Sequence, residues 1–317
     1  MFNLDLEKLF PRNSTLIVAL SGGPDSVFLL HILCAFRDTY PLTLIVAHLD
    51  HGWRLESPQD VLFCKNMAEK YSCEFVTAHA RDIVLTKRYK EASEQLGRAL
   101  RRTFLENVAD TYENSFIVLG HHQNDQQETF FIRLVRGASL SGLTGIKAQN
   151  ARYVRPLLSL SKTDITNYLA ENTISYLIDH TNTSAVYLRN RIRTTVIPAL
   201  EQVDSRFAHN FQATLTNLQE IETFLVALAQ KSFSEMHVIE NNSIIVDLAK
   251  LLALDFVLFK YVLVHWLCVE KVSFTPTTAF FKEIQRFFSH TTNSTKHSVH
   301  TSWSFFKKQQ KITVIKQ

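Results

Sequence analysis

Six consecutive residues, Ser21-Gly22-Gly23-Pro24-Asp25-Ser26, combine the types that suit a bound anion. Paired glycines let backbone amides converge, and a helix starting here adds the positive end of its dipole. Ser21 and Ser26 bring hydroxyls, and Asp25 either holds a magnesium ion or caps the helix. The stretch is not a Walker A loop, because the closing Gly-Lys-Ser/Thr is missing. An ordinary strand-to-helix turn is the plain alternative. Two other clusters carry chemistry: His48-Leu49-Asp50-His51-Gly52-Trp53-Arg54, and the run from Gly120 through His121, His122 and Asp125 to Glu128. Asp125 and Glu128 stand three apart and share a helix face, either as a carboxylate pair for a cation or as N-terminal acids favoured by the macrodipole. His121, His122 and Asp125 suit zinc by type, yet a further ligand pair is missing. Alone, His48 and His51 read equally as solvent-facing loop residues.

The elements that must position these clusters are legible around them. Thr15 to Leu20, Leu42 to Leu49, Glu74 to Ala78 and Ser115 to Gly120 read as strands. Helical patterns cover Val27 to Phe36, Gln59 to Tyr71, about Glu91 to Tyr112, and Asp125 to Arg136. Such alternation indicates an α/β fold with a doubly wound, mostly parallel sheet. Ligands of such sheets bind beyond the carboxyl ends of the strands, and each of the three clusters directly follows a strand. From Leu157 onward helices dominate, with Ser159 and Ser161 as caps. A stripe through Leu215, Leu218, Ile221, Leu225 and Leu228 packs inward or bridges two lobes. The polar stretch Glu240 to Ser243 breaks that pattern. A helical pair and a terminal strand pair, about Val299 to Phe306 and Lys311 to Ile315, complete a smaller, largely helical C-terminal domain. The expected division is residues 1–205, a linker helix 206–230, and 231–317.

Basic residues form two groups. Arg98, Arg101 and Arg102 lie on one helix face, and Arg189, Arg191 and Arg193 alternate, which brings phosphate contacts to one side or makes a solvated surface. Gly137 to Gly145 suits a mobile loop. Phe280, Phe281, Phe287 and Phe288 read as core rather than as base-stacking platforms.

Composition narrows the class. The 317 residues are 46% apolar and 20% charged, with 23 Phe, which excludes disorder. Only eight residues are Gly, all between Gly22 and Gly145, so ligand handling is expected in the front half. Net charge is +4, which permits nucleic acid without demonstrating it. The four cysteines lack CxxC spacing, arguing against a metal knuckle or a disulfide framework. The run Tyr261 to Val269 is too short to span a bilayer, and the acidic N-terminus does not read as a signal peptide. No membrane partner and a cytoplasmic location are expected.

Taken together, the motifs resemble the tRNA(Ile)-lysidine synthetases, PP-loop ATPases that activate an oxygen as an adenylate. The resemblance rests on the Ser21–Ser26 loop, the His48 and Gly120 clusters, and Arg133-Leu134-Val135-Arg136-Gly137. It also rests on Arg155-Pro156-Leu157-Leu158 and on Asn182 followed by Arg189-Asn190-Arg191-Ile192-Arg193. The order is the family's, over about residues 15–200, in a chain of the length of its shorter members. It implies that ATP, with Mg2+, adenylates C2–O of the wobble cytidine in the CAU anticodon of isoleucine tRNA. Free lysine then displaces AMP to give lysidine. By the same resemblance Ser21, Gly22, Gly23, Pro24, Asp25, Ser26, His48 and His51 bind ATP, and Asp25, Asp125 and Arg98 are catalytic. Asp125 and Glu128 recognise lysine, with Asp25 and Asp125 also as magnesium ligands; how the roles divide stays open. Arg101, Arg189, Arg191 and Arg193 contact tRNA, as does the C-terminal domain, and a homodimer is allowed. Gly97 and Arg102 depart from the family's Ala-Arg-x-x-Arg-Tyr pattern. A PP-loop tRNA thiolase or an inactive tRNA-binding module is the alternative.

Overall fold

A computed structural model describes residues 2, 4–53, 55–86, 89, 94–178, 188–290 and 294–316. Arg54, Glu91 and Asn182 from the motifs above lie outside the described residues. The chain divides into two compact units, Met1–Gln212 and Ala213–Gln317.

In the first unit the strands are β1 (Ser14–Ala19), β2 (Leu42–Asp50), β3 (Glu74–His79), β4 (Ser115–Val118), β5 (Gln149–Asn150) and β6 (Tyr153–Val154). The β-branched and aliphatic runs become the central strands, β1, β2 and β4, buried on both faces as a parallel sheet requires, with less buried strands at the edges. The strand order is β3-β2-β1-β4-β6-β5, parallel except for the β5–β6 pair. Side chains alternate between two cores. Leu16, Val18, Leu44 and Val46 meet α1 (Pro24–Arg37), α2 (Ser57–Lys70) and, through Ile165 and Leu169, a later helix, Lys162–Glu171. Ile17, Ile45 and Ile117 meet Leu100, Phe104 and Val108 of α3 (Glu94–Ala109) on the opposite face. The chain order reverses between β1 and β4, so the crevice past their carboxyl ends is the natural binding position of this sheet. Into it open α1, α4 (Gln123–Val135) and the Lys162–Glu171 helix, numbered α5. Next comes a helical run: Leu188–Arg191, a π-helical turn Ile192–Val196, and Ile197–Val203.

The helix α6 (Phe207–Met236) is 30 residues long and passes from one unit into the next. Its expected stripe is only partly inward: Leu215 is fully buried, whereas Ile221 is about half exposed. In the second unit the polar stretch after Ile239 is a hairpin turn, with Asn241 and Asn242 both at positive φ. It joins β7 (His237–Glu240) to β8 (Ser243–Asp247). The expected terminal strand pair is three strands, β9 (Ser294–His300), β10 (Trp303–Lys308) and β11 (Lys311–Lys316). All five strands form one antiparallel sheet, β7-β8-β11-β10-β9. Its core joins Trp303 and Phe305 to Trp266 of α7 (Phe256–Val269) and to Phe281 and Phe288 of α8 (Thr278–Ser289). Phe280 and Phe287 pack against this core, as expected of the Phe-rich stripe.

Candidate functional site

The loop between β1 and α1 is shaped by its two serines. The Ser21 N–H donates to Ser26 Oγ at 3.2 Å, Ser26 Oγ donates to the Gly23 carbonyl at 2.9 Å, and the two hydroxyls lie 3.2 Å apart. Gly22 has φ +83°, and a Cβ there would stand 2.6 Å from Leu177 Cδ1, so this position needs glycine on two counts. Gly23 caps α1 and Pro24 opens it, which places Asp25 in the first turn at the dipole's positive end. Gly120, at the end of β4, permits the backbone of Asp25 and Ser26 to approach; an added Cβ would lie 3.0 Å from the Asp25 carbonyl.

Asp25 is not isolated. Lys162 Nζ, on the first turn of α5, lies 2.5 Å from its Oδ1, and His122 Nε2 lies 3.7 Å from its Oδ2. The same His122 nitrogen is 3.5 Å from Asp125 Oδ2, so one imidazole faces both carboxylates. His122 precedes α4, and its N–H donates to Asp125 Oδ2 at 3.0 Å. Asp125 Oδ1 accepts from Arg189 Nη2 at 2.6 Å. Glu128, 1% exposed, accepts from Arg189 Nε and from Arg193 Nε, each at 2.5 Å. Burial works against the Asp125 charge, but His122, its backbone N–H and Arg189 together hold the carboxyl below the usual range. Burial, reinforced by Arg155 and Arg189, pushes the His121 imidazole down to about 4, so it is neutral at pH 7.

At the end of β2, His48 Nδ1 donates to the Leu20 carbonyl at 2.8 Å, and burial lowers its affinity for a proton. Asp50 accepts from the Gly52 N–H at 2.8 Å, from Ser57 Oγ, and from His79 Nδ1 at 2.8 Å. Burial, with Arg101 as a positive neighbour, brings His51 down to about 4. Its ring lies 4.7 Å from that of Trp53, and Trp53 in turn covers Gly97: a Cβ there would be 2.8 Å from Cη2. The departure at Gly97 is therefore space for an aromatic ring. Arg102 departs for a different reason, being paired with Glu106 at 3.0 Å and set over the Tyr153 ring.

Three buried imidazole nitrogens, Nδ1 of His51, His121 and His122, have no hydrogen-bond partner among the described residues. Buried polar atoms without partners past the ends of two strands, β2 and β4, which flank β1, suit a ligand with polar edges. Among the described residues no group of three or more His, Cys, Asp or Glu could hold a metal ion by itself. No helix among them is long and apolar enough to cross a membrane.

Residues 2–200 match the family model described as the PP-loop domain. The chain belongs to this family. A tRNA(Ile)-lysidine synthase of Bacillus thuringiensis is 35% identical over 230 residues, covering 71% of this chain and 48% of the relative. The enzyme of the same name from Bacillus subtilis is 34% identical over 265 residues, covering 79% and 54%. The chain thus spans about half the length of these curated relatives. In fold, its PP-loop unit is similar to the U34-tRNA thiolase NcsA of Methanococcus maripaludis. There the TM-score is 0.57 at 18% identity, over 67% of this chain and 75% of that one.

Within the PP-loop unit, the structure brings together Ser21, Asp25, Ser26, His122, Asp125, Glu128, Arg189 and Arg193. Two of the four arginines expected on the RNA side, Arg189 and Arg193, are here the partners of the acids expected to recognise lysine. Spacing reveals each set but not their mutual contact, because 61 to 65 positions separate them. Sequence reasoning missed Lys162 altogether, although the Ser161 cap signals the helix that carries it. The segment after Gly137, expected to be a mobile loop, contains a helical turn, Leu140–Leu143. Arg133 donates to the Gly142 and Gly145 carbonyls at 2.8 and 2.9 Å, and Gln126 brackets Ile146 from both sides.

Proposed function

We propose that this protein uses ATP to join lysine to C2 of the wobble cytidine in the CAU anticodon of isoleucine tRNA, forming lysidine, AMP and pyrophosphate. The observation that carries the reading is the acid pocket beside the PP-loop. Asp125 and Glu128 grip two guanidiniums, and Asp125 shares His122 with Asp25. A reaction that delivers a cationic amine to an oxygen activated by a nucleotide needs a cation site next to a phosphate site.

The PP-loop amides and the α1 dipole receive the polyphosphate, with the Ser21 and Ser26 hydroxyls as donors. Magnesium fits here as an ion shared with phosphate: Asp25 and Asp125 offer hard oxygens on either side of His122, and Mg2+ characteristically takes one or two carboxylates plus phosphate oxygens. When bound, it would neutralise part of the triphosphate charge. His48 and His51, both favouring the neutral form, face the nucleotide from the β2 end. Arg98 orients phosphate, and Arg101, Arg191 and the second unit meet the tRNA. The ammonium of lysine takes the place of a guanidinium on Asp125 and Glu128, which releases Arg189 and Arg193 towards RNA phosphates. This exchange reconciles both assignments of those residues. Such a reaction belongs in the cytoplasm, where its tRNA is.

The thiolase alternative is weakened by the cysteines. Cys64 Sγ comes within 3.9 Å of the Leu20 carbonyl, but burial pushes its thiol up to about 12, far from a thiolate. Cys73 Sγ lies 3.9 Å from Cys34 Sγ, and that contact and Arg37 bring its thiol down to about 7. But Cys34 is about 12 Å beyond Ser26 along α1, and Cys73 stands just before β3, at the end of the parallel sheet opposite the PP-loop. The test is pyrophosphate release with CAU-anticodon isoleucine tRNA, ATP and magnesium, in the absence of lysine. Release that requires this tRNA, and later addition of lysine to the RNA, is expected; sulfur transfer to the tRNA would contradict the reading.

A further inference from the structure

Walker loops carry their own lysine, whereas Ser21–Ser26 contains no cation and adds the negative charge of Asp25. A nucleotide triphosphate brings about four further negative charges, of which one magnesium ion offsets two. Backbone amides and hydroxyls answer the rest weakly. The structure brings one ammonium to this loop from 137 positions away, Lys162 Nζ at 2.5 Å from Asp25 Oδ1.

We infer that Lys162 is the phosphate-contacting cation of this site, exchanging between the Asp25 carboxylate and the β- and γ-phosphates of the nucleotide. The inference rests on the ATP reading above. The base of this lysine is fixed and its tip is free to turn. The Lys162 N–H donates to Asn124 Oδ1 of α4 at 2.9 Å, and the Ser161–Asp164 capping box locks the first turn of α5. Beyond that anchor, a four-carbon stem ends in three rotatable donors. The Lys162 side chain is 39% exposed, so the ammonium is neither buried nor committed to a closed cage. Asp25 sits in the first turn of α1, so the ammonium already stands where the α1 dipole favours an anion. Moving from the carboxylate to a phosphate oxygen keeps Lys162 paired throughout and leaves Asp25 Oδ1 to a metal ion. The lysine missing from the PP-loop is thus supplied by a different helix.

The test uses the full chain with Lys162→Met, Lys162→Gln and Lys162→Arg, checked for unchanged thermal unfolding. Equilibrium binding is measured for ATP and for AMP, together with Mn2+ binding without nucleotide, read by electron paramagnetic resonance. Met and Gln are expected to weaken ATP tenfold or more while AMP changes less than threefold, because only ATP carries the contacted phosphates. Mn2+ should bind more tightly once the competing ammonium is gone, and Arg should recover part of the ATP affinity. ATP affinity within twofold of the unsubstituted protein, or equal losses for ATP and AMP, would overturn the inference alone. If the unsubstituted protein binds no ATP, the nucleotide reading falls and takes the inference with it.

Discussion

At the scale of single residues, burial favours the neutral imidazoles of His48, His51 and His121. His121 ties that preference to pH. Its folded affinity for protons is depressed to about 4, so between the ordinary imidazole range and pH 4 the unfolded chain binds the extra proton. Stability is therefore present above about pH 6.5 and is lost as pH falls towards 4, by up to about 3 kcal/mol from this residue. Denaturant titrations from pH 7.5 to 4.5 should show that slope, and His121→Asn should flatten it; an unchanged slope refutes the assignment. Glu128→Gln removes one charge from a buried pair-of-arginines site without changing its shape. It should raise the KM for lysine about tenfold, a loss of about 1.4 kcal/mol, and leave that for ATP within about twofold. Equal effects on both substrates would argue against lysine recognition. Gly97→Ala gains helix propensity worth about 1 kcal/mol while pushing on the half-exposed Trp53 ring. Trp266 and Trp303 are fully buried, so a shift in the red-edge tryptophan emission reports Trp53. Unaltered emission would mean that the ring does not rest on Gly97.

At the scale of elements, strand ends and helix starts do the positioning. Gly22→Ala should cost about 1–2 kcal/mol in left-handed strain, plus the collision with Leu177, and should impair ATP binding. Gly137→Ala has similar φ but open space around its Cβ, so it should suffer the strain alone and spare ATP binding. Calorimetric melting and nucleotide titration separate the two; a harmless Gly22→Ala contradicts the loop's described shape. Elements are also where sequence reading works best. The β1, β2 and β4 runs are apolar on both faces, and the Gly-Gly-Pro turn marks the α1 start, so the parallel sheet and its strand-end clusters are visible in the residues themselves. The second-unit sheet is not. The β7 and β9 strands are short or polar edge strands, and Ser294 to His300 alternates without a strong apolar face, so the first two strands of the terminal three merge into one in the sequence. Long-range pairs such as Lys162–Asp25 and Arg193–Glu128 leave no local periodicity at all.

At the scale of the whole molecule, glycine usage divides the chain by task. No glycine lies beyond Gly145, in the PP-loop unit, while the second unit makes its tight turn with Asn241 and Asn242 instead. A fragment ending at Gln212 respects the boundary between the two compact units. It should retain ATP affinity and lose affinity for the tRNA by tenfold or more, about 1.4 kcal/mol, in filter-binding assays. Unchanged RNA affinity would remove the second unit from tRNA recognition. The central claim joins a phosphate site to a cation site in one crevice, and nucleoside mass spectrometry tests it most directly. Isoleucine tRNA with a CAU anticodon, incubated with the protein, ATP, magnesium and isotopically labelled lysine, should yield labelled lysidine at the wobble position. It should do so only when Asp25 is present, with Asp25→Ala giving none. An unmodified wobble cytidine with the intact protein, or labelled product from Asp25→Ala, would contradict the account.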